Sequence, residues 1–179
     1  MLRLSRGFVV CFTLLMLLSG NCYSAQTVPS IPQPYDNLQG LTGVFVLVET
    51  IDGDAKRDGL TTEDVITWVE LRLRALGIKV LTMAEYFSEP GNPCLYVNVH
   101  ALKVNPCRSD MYVMSVSVDL QETMKQTRPP YKSVSSAKVW ESGMVSLFSA
   151  SLLTSATKEN VLKHVDKFAN DYLAANPKK

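Results

Sequence analysis

Two runs of alternating residues constrain this chain more than any other feature: "LYVNVHALKV" from Leu95 and "MYVMSVSVDL" from Met111. Strict alternation is the period of a half-buried strand, and the short loop between the runs makes them a hairpin. Face matching sets the register. With Val104 opposite Met111, paired numbers sum to 215. Leu95 then meets Leu120, Val97 meets Val118, Val99 meets Val116, and Ala101 meets Met114, all apolar. On the other face Tyr96 meets Asp119, Asn98 meets Ser117, and His100 meets Ser115. A slip of one residue would bury Ser and Asp.

Other elements gather around this hairpin. Residues 44–48 are unbroken apolar and β-rich, as in a central or doubly covered strand. The stretch "TTEDVITWVELRLRALG" places Val65, Ile66, Val69, Leu73 and Leu76 in one sector of a helix. Thr61 is the expected cap, Asp64 its partner three residues on, and Gly77 the left-handed stop followed by apolar Ile78. "IKVL" then reads as a second strand, completing a right-handed parallel crossover. A third antiparallel strand is expected over 134–148, with a bulge near Glu141 to Gly143 where a charge interrupts the apolar face. The last helix carries Val161, Leu162, Val165, Phe168, Ala169, Tyr172 and Leu173 on one stripe, with Thr157 as cap and Pro177 as stop. The expected fold class is α+β: a two-layer sandwich with a mixed sheet, in the order β-α-β-β-β-β-α, and two helices on one face.

The amino terminus has the layout of an export signal. Arg3 and Arg6 precede an uncharged apolar run over 8–18, and small residues follow. That run is about half the ~20 residues a membrane-spanning helix needs. Cys22 raises the question of a lipid anchor, but Asn21 stands where a small residue should precede a lipidated cysteine. Cleavage after Ser24 and soluble export is the expectation, with lipidation at Cys22 the weaker alternative. The domains expected are therefore a signal peptide over 1–24, a proline-containing extended arm over 25–41, and one α/β domain over 42–176. Removing Arg3 and Arg6 from the 18 basic residues leaves 16 against 17 acidic, a net charge of −1. Such balance argues against nucleic acid or an anionic membrane surface as partner. Lys125, Arg128 and Lys132 read as a solvated turn. The chain has no Asn-X-Ser/Thr acceptor, which in an exported protein points toward a bacterium and a periplasmic or secreted location.

Little suggests chemistry. Asp52, Asp54 and Asp58 have the start of a calcium loop, but Lys56 and Arg57 occupy positions that need a ligand and a glycine, so a plain turn is expected. Cys94 and Cys107 flank a strand of about ten residues, roughly 30 Å long. A disulfide needs Cα atoms within ~7 Å, so none is expected between them. His100, Ser115 and Asp119 superficially suggest a nucleophile set, yet Asp119 lies on the order of 10 Å away and an open sheet face offers no oxyanion hole. His164, at the edge of the last helix's stripe, reads as a packing or surface residue. No phosphate loop, nucleophile elbow or metalloprotease motif occurs, and no enzyme, cofactor or metal is expected.

A binding face is the better candidate. If the third strand pairs with numbers summing to 255, Trp140 stands beside Ser115 and near His100. The uncovered face then shows Tyr96, Asn98, His100, Ser115, Ser117, Asp119 and Trp140, an amphipathic patch with two aromatics. A solvated face, or one covered by the proline-containing arm, are the plainer alternatives.

The export signal, the "DGLTTEDVITWVELRLRALGIKVL" unit, the "LYVNV" strand and the closing "DKFANDYLAANP" helix give an order of elements that resembles the amino-terminal domain of TolB, and small exported bacterial proteins of unassigned function that share it. The likeness is topological and transfers no residue role. It implies a non-catalytic binding or assembly module of the bacterial cell envelope, with another envelope protein as partner. The alternative is a periplasmic small-molecule binder using the outer sheet face.

Overall fold

The computed structural model describes residues 35–51, 53–105 and 110–177, with the backbone alone at 134 and 135. The expected export signal, Cys22, most of the expected arm, Asp52 and Cys107 fall outside them. The elements in chain order are β1 (Phe45–Val48), α1 (Gly53–Arg57), α2 (Thr62–Ala75), α3 (Met83–Ser88), β2 (Cys94–Val104), β3 (Met111–Lys125), β4 (Ser133–Ser149) and α4 (Leu153–Ala175). Short 3-10 turns at Asp36–Leu38 and Ala150–Leu152 frame them. The sheet order is β1-β2-β3-β4; β1 runs parallel to β2, and the other pairs are antiparallel. This is an α+β fold with a mixed four-stranded sheet.

The hairpin register is the one face matching predicts, from Leu95↔Leu120 through Val104↔Met111. Its apolar face is sealed: Leu95, Val97, Met114, Val118 and Leu120 are fully buried. Against them pack Val65, Val69 and Leu73 of α2 and Val161, Val165 and Phe168 of α4, in one continuous core. At roughly 1.5–3 kcal/mol per buried aliphatic side chain, a one-residue slip would forfeit more stability than a small domain possesses.

The capping of α2 also follows its sequence. Thr61 Oγ1 accepts from the Asp64 N–H at 3.1 Å. Gly77 takes φ 76°, its N–H reaches the Arg74 carbonyl at 3.0 Å, and the Ile78 N–H reaches Leu73 at 2.9 Å. Those are the paired bonds of a Schellman stop.

Five expectations need correction, the first being β1 itself, which lies at the end of the sheet order with Leu47 46% exposed rather than central or covered on both faces. The "IKVL" strand shrinks to one parallel bridge, Val44↔Val80, so the sheet has four strands rather than five. The cause is the next residue. Thr82 starts α3 with a complete capping box: its side chain accepts from Glu85 N–H, and the Glu85 carboxylate accepts from Thr82 N–H at 2.8 Å. Lys79 completes the turn at 2.6 Å from Glu85, and Lys79 first, then Thr82, pull that carboxyl down to about 2. Next, 53–57 is one helical turn rather than a plain turn. Asp58, at its end, accepts from Lys103 Nζ at 2.9 Å and Tyr112 Oη at 2.7 Å, and Asp54 pairs with Arg57. The bulge expected at Glu141 to Gly143 lies earlier instead: register shifts fall between Leu120 and Gln121 and between Glu122 and Met124, opposite Val139 and Ser135–Ser136. Finally, α4 begins at Leu153, so Thr157 is no cap. It is buried within the helix and donates to the Leu153 carbonyl at 2.6 Å.

The end of the arm is gripped by the fold. Leu38 is fully buried in the core. Asn37 Nδ2 donates to the Val139 carbonyl, Tyr172 Oη to the Leu41 carbonyl, and Asn176 Nδ2 to the Leu38 carbonyl.

Candidate binding face

Both long helices cover one side of the sheet, and the other side carries the side chains that alternation turns outward. Along β2 these are Tyr96, Asn98, His100 and Leu102; opposite them on β3 stand Asp119, Ser117, Ser115 and Val113. Strand β4 adds Glu141, Gly143, Val145 and Leu147 in that order. Five of the six predicted site residues, Tyr96, Asn98, His100, Ser115 and Asp119, therefore share this face.

Trp140 does not. From Met111 to Leu120 the β3–β4 ladder pairs numbers summing to 260, not 255, so Trp140 lies opposite Leu120 on the helix-facing side. An odd shift turns every side chain of a strand to its other face. The observed register is the better-packed one. The indole is 6% exposed, sits edge-on to Phe168 at 5.3 Å, and donates from Nε1 to Asp171 Oδ2 at 2.8 Å. It also removes the need for a bulge at Glu141, which simply points outward opposite Asp119.

The face has a polar belt and an apolar end. In the belt, the Glu49 carboxylate accepts from Tyr96 Oη at 2.6 Å and from Asn98 Nδ2. That bond, more than burial, pushes the Tyr96 hydroxyl up. Lys138 bridges Asp119 and Glu141 at 3.0 Å each, and the two carboxylates, Asp119 first, hold its ammonium protonated. Asp119 is itself buried, with Oδ1 enclosed and free of any partner among the described residues. Beside it lies a wide-mouthed depression of about 430 Å³ bordered by Ser117, Lys138, Glu141 and Gly143. Among the described residues, no three His, Cys, Asp or Glu side chains converge as a metal site would.

The apolar end begins where His100 faces Ser115, both exposed. The next row out is Leu102, Val113 and Leu147, aligned across three strands, with Val145 next to Ser115. Their exposures are 65%, 36%, 58% and 70%. No family model and no curated protein matches this chain.

The apolar row is what sequence reasoning missed on this face. The signal was present: Leu102 and Val113 sum to 215 and alternate in phase with His100 and Ser115, so they project outward with them.

Cys94 opens β2 on the same face, yet it is buried beside Tyr86 and Glu122 around a cavity of about 90 Å³. Burial pushes its thiol up to about 11, so it stays protonated and unreactive at neutral pH.

His164 belongs to the opposite side of the sheet. Its Nδ1 lies 2.8 Å from Ser142 Oγ, and its Nε2 is enclosed with no partner among the described residues. This part-buried Ser–His contact ties β4 to α4 and acts as a packing contact. Burial first, then Lys163 and Lys167, hold the ring's pKa below its ordinary value. The fold therefore favours the neutral ring. That contribution to stability is complete above the unfolded value of about 6.5 and declines as pH falls below it, levelling off under the folded-state pKa. The urea midpoint should drop between pH 7 and pH 5 more in the native protein than in His164→Gln; parallel profiles would show that His164 takes no part.

Proposed function

We propose that the protein is a non-catalytic binding or assembly module of the bacterial cell envelope, exported to a periplasmic or secreted location, which engages another envelope protein through its helix-free sheet face. The observation that carries this reading is the Leu102–Val113–Leu147 row, apolar and exposed across three adjacent strands beside a hydrogen-bonded polar belt. Contiguous exposed apolar surface rimmed by polar groups is the usual mark of a protein contact. The export signal and the likeness to the TolB amino-terminal domain are part of the proposal and supply its location.

A photo-crosslinking residue at Leu102, used in intact cells, should trap one partner. The same residue at Leu71, which is 60% exposed on the helical side, should trap none of it. Leu102→Asp should reduce crosslinking from a probe at Val113 at least tenfold without changing the unfolding midpoint. Equal yields at Leu102 and Leu71 would dismiss the face as the contact. A small ligand is the second reading, favoured by the depression beside Asp119; it predicts a ligand-dependent rise in melting temperature that Asp119→Asn abolishes.

A further inference from the structure

Strand β4 is a sheet edge, and its two halves are built differently. The first half carries the protections that edges usually have. Its ladder is bulged opposite Val139 and Ser135–Ser136, Ser136 takes φ 61°, Lys138 is charged, and Asn37 already caps the Val139 carbonyl. The second half has none of them. From Ser142 to Ser149 the sequence "SGMVSLFS" holds no charge and no proline, and its pairing with β3 is unbroken.

The direction of its free backbone groups follows from one bond. The Ala150 N–H donates to the Asp110 carbonyl at 3.0 Å, so even-numbered residues here bond inward to β3. The same parity carries across the sheet, where the Glu49 N–H reaches the Val97 carbonyl. Gly143, Val145, Leu147 and Ser149 therefore turn their N–H and C=O groups to the free edge. Among the described residues no strand pairs with them.

We infer that this edge pairs with the same edge of a second copy of the chain, antiparallel about a two-fold axis at Ser146. The choice of occupant rests on self-complementarity. In that register Val145 meets Leu147 of the partner copy twice, by symmetry, on the outer face. Met144 meets Phe148 twice on the helical face, and Ser146 meets itself. Each apolar side chain gains an apolar partner, and about eight main-chain hydrogen bonds form. The two four-stranded sheets become one, and the two exposed apolar ends merge into a single surface. This pairing uses the backbone of the edge, with Val145 and Leu147 at the margin of the face, and it does not depend on the face binding an envelope protein.

Sedimentation equilibrium at high micromolar concentration should give twice the chain mass. Val145→Pro should halve it, because the Val145 N–H points away from β3 and its loss leaves the native ladder intact. Val145→Lys, at a position 70% exposed, should do the same with an unchanged circular dichroism spectrum. In the dimer, the amides of Gly143, Val145, Leu147 and Ser149 should exchange slowly, and dilution should speed them while Met144, Ser146 and Phe148 stay protected. A single-chain mass for the native protein, a dimer surviving both substitutions, or fast exchange of the odd-numbered amides in a dimer would each overturn the pairing.

Discussion

Trp140→Ala is expected to lower the free energy of unfolding by about 3–5 kcal/mol, the range for removing a buried large aromatic. Three contacts are lost together. The ring packs edge-on against Phe168, Lys167 Nζ stands 5.1 Å over its face, and the indole N–H bonds Asp171. Among the described residues, Asp171 would keep Lys167, at 2.9 Å. Trp140→Phe keeps an aromatic edge on Phe168 but not the N–H, so its cost should be clearly smaller. Urea titration of the three proteins measures this directly. A solvated tryptophan would cost within about 0.5 kcal/mol, so a loss that small would return the indole to the outer face.

Gly43→Ala should cost about 1–3 kcal/mol, for the opposite reason: there is no room. A Cβ at Gly43 would lie 2.6 Å from the Lys79 carbonyl oxygen and 2.9 Å from Lys79 Cβ. The carbonyl is backbone, and it accepts from the Val44 N–H at 3.0 Å, so it cannot swing aside without breaking the one bridge that joins residue 80 to the sheet. The expected readout is a melting temperature lower by roughly 3–10 °C. An unchanged melting temperature would mean that the chain after α2 docks elsewhere.

The elements that sequence reasoning located correctly are those governed by local periodicity. The register of β2 and β3 follows from two long alternating runs joined by a short loop, in which a one-residue slip would bury Ser and Asp. The caps of α2 follow from Thr61, Asp64 and Gly77, each acting within four residues. The elements that were misplaced depend on more distant partners. Strand β4 mixes Ser, Met, Gly and Val, so several registers satisfy alternation equally well. The choice was made by a pocket for Trp140 that Phe168 and Asp171 build from another element. The 53–57 turn and α3 are too short for a periodic signal, and each is tied down by charged groups elsewhere. Asp58 engages Lys103 and Tyr112, and Glu85 engages Lys79.

The candidate face divides in the same way. Tyr96, Asn98, His100, Ser115 and Asp119 share a side because one hairpin register dictates it. Their bonds to Glu49 and Lys138, and the apolar row completed by Leu147, required β1 and β4 to be placed beside that hairpin.

The sequence alone determined the α+β class, the central hairpin and which of its faces would be apolar, because alternation and capping act between near neighbours and leave one low-energy answer. Only the tertiary structure decided how β4 aligns, where Trp140 goes and what the outer face presents. Those outcomes turn on packing between segments far apart in the chain, where several local patterns are equally acceptable and the filled core selects among them.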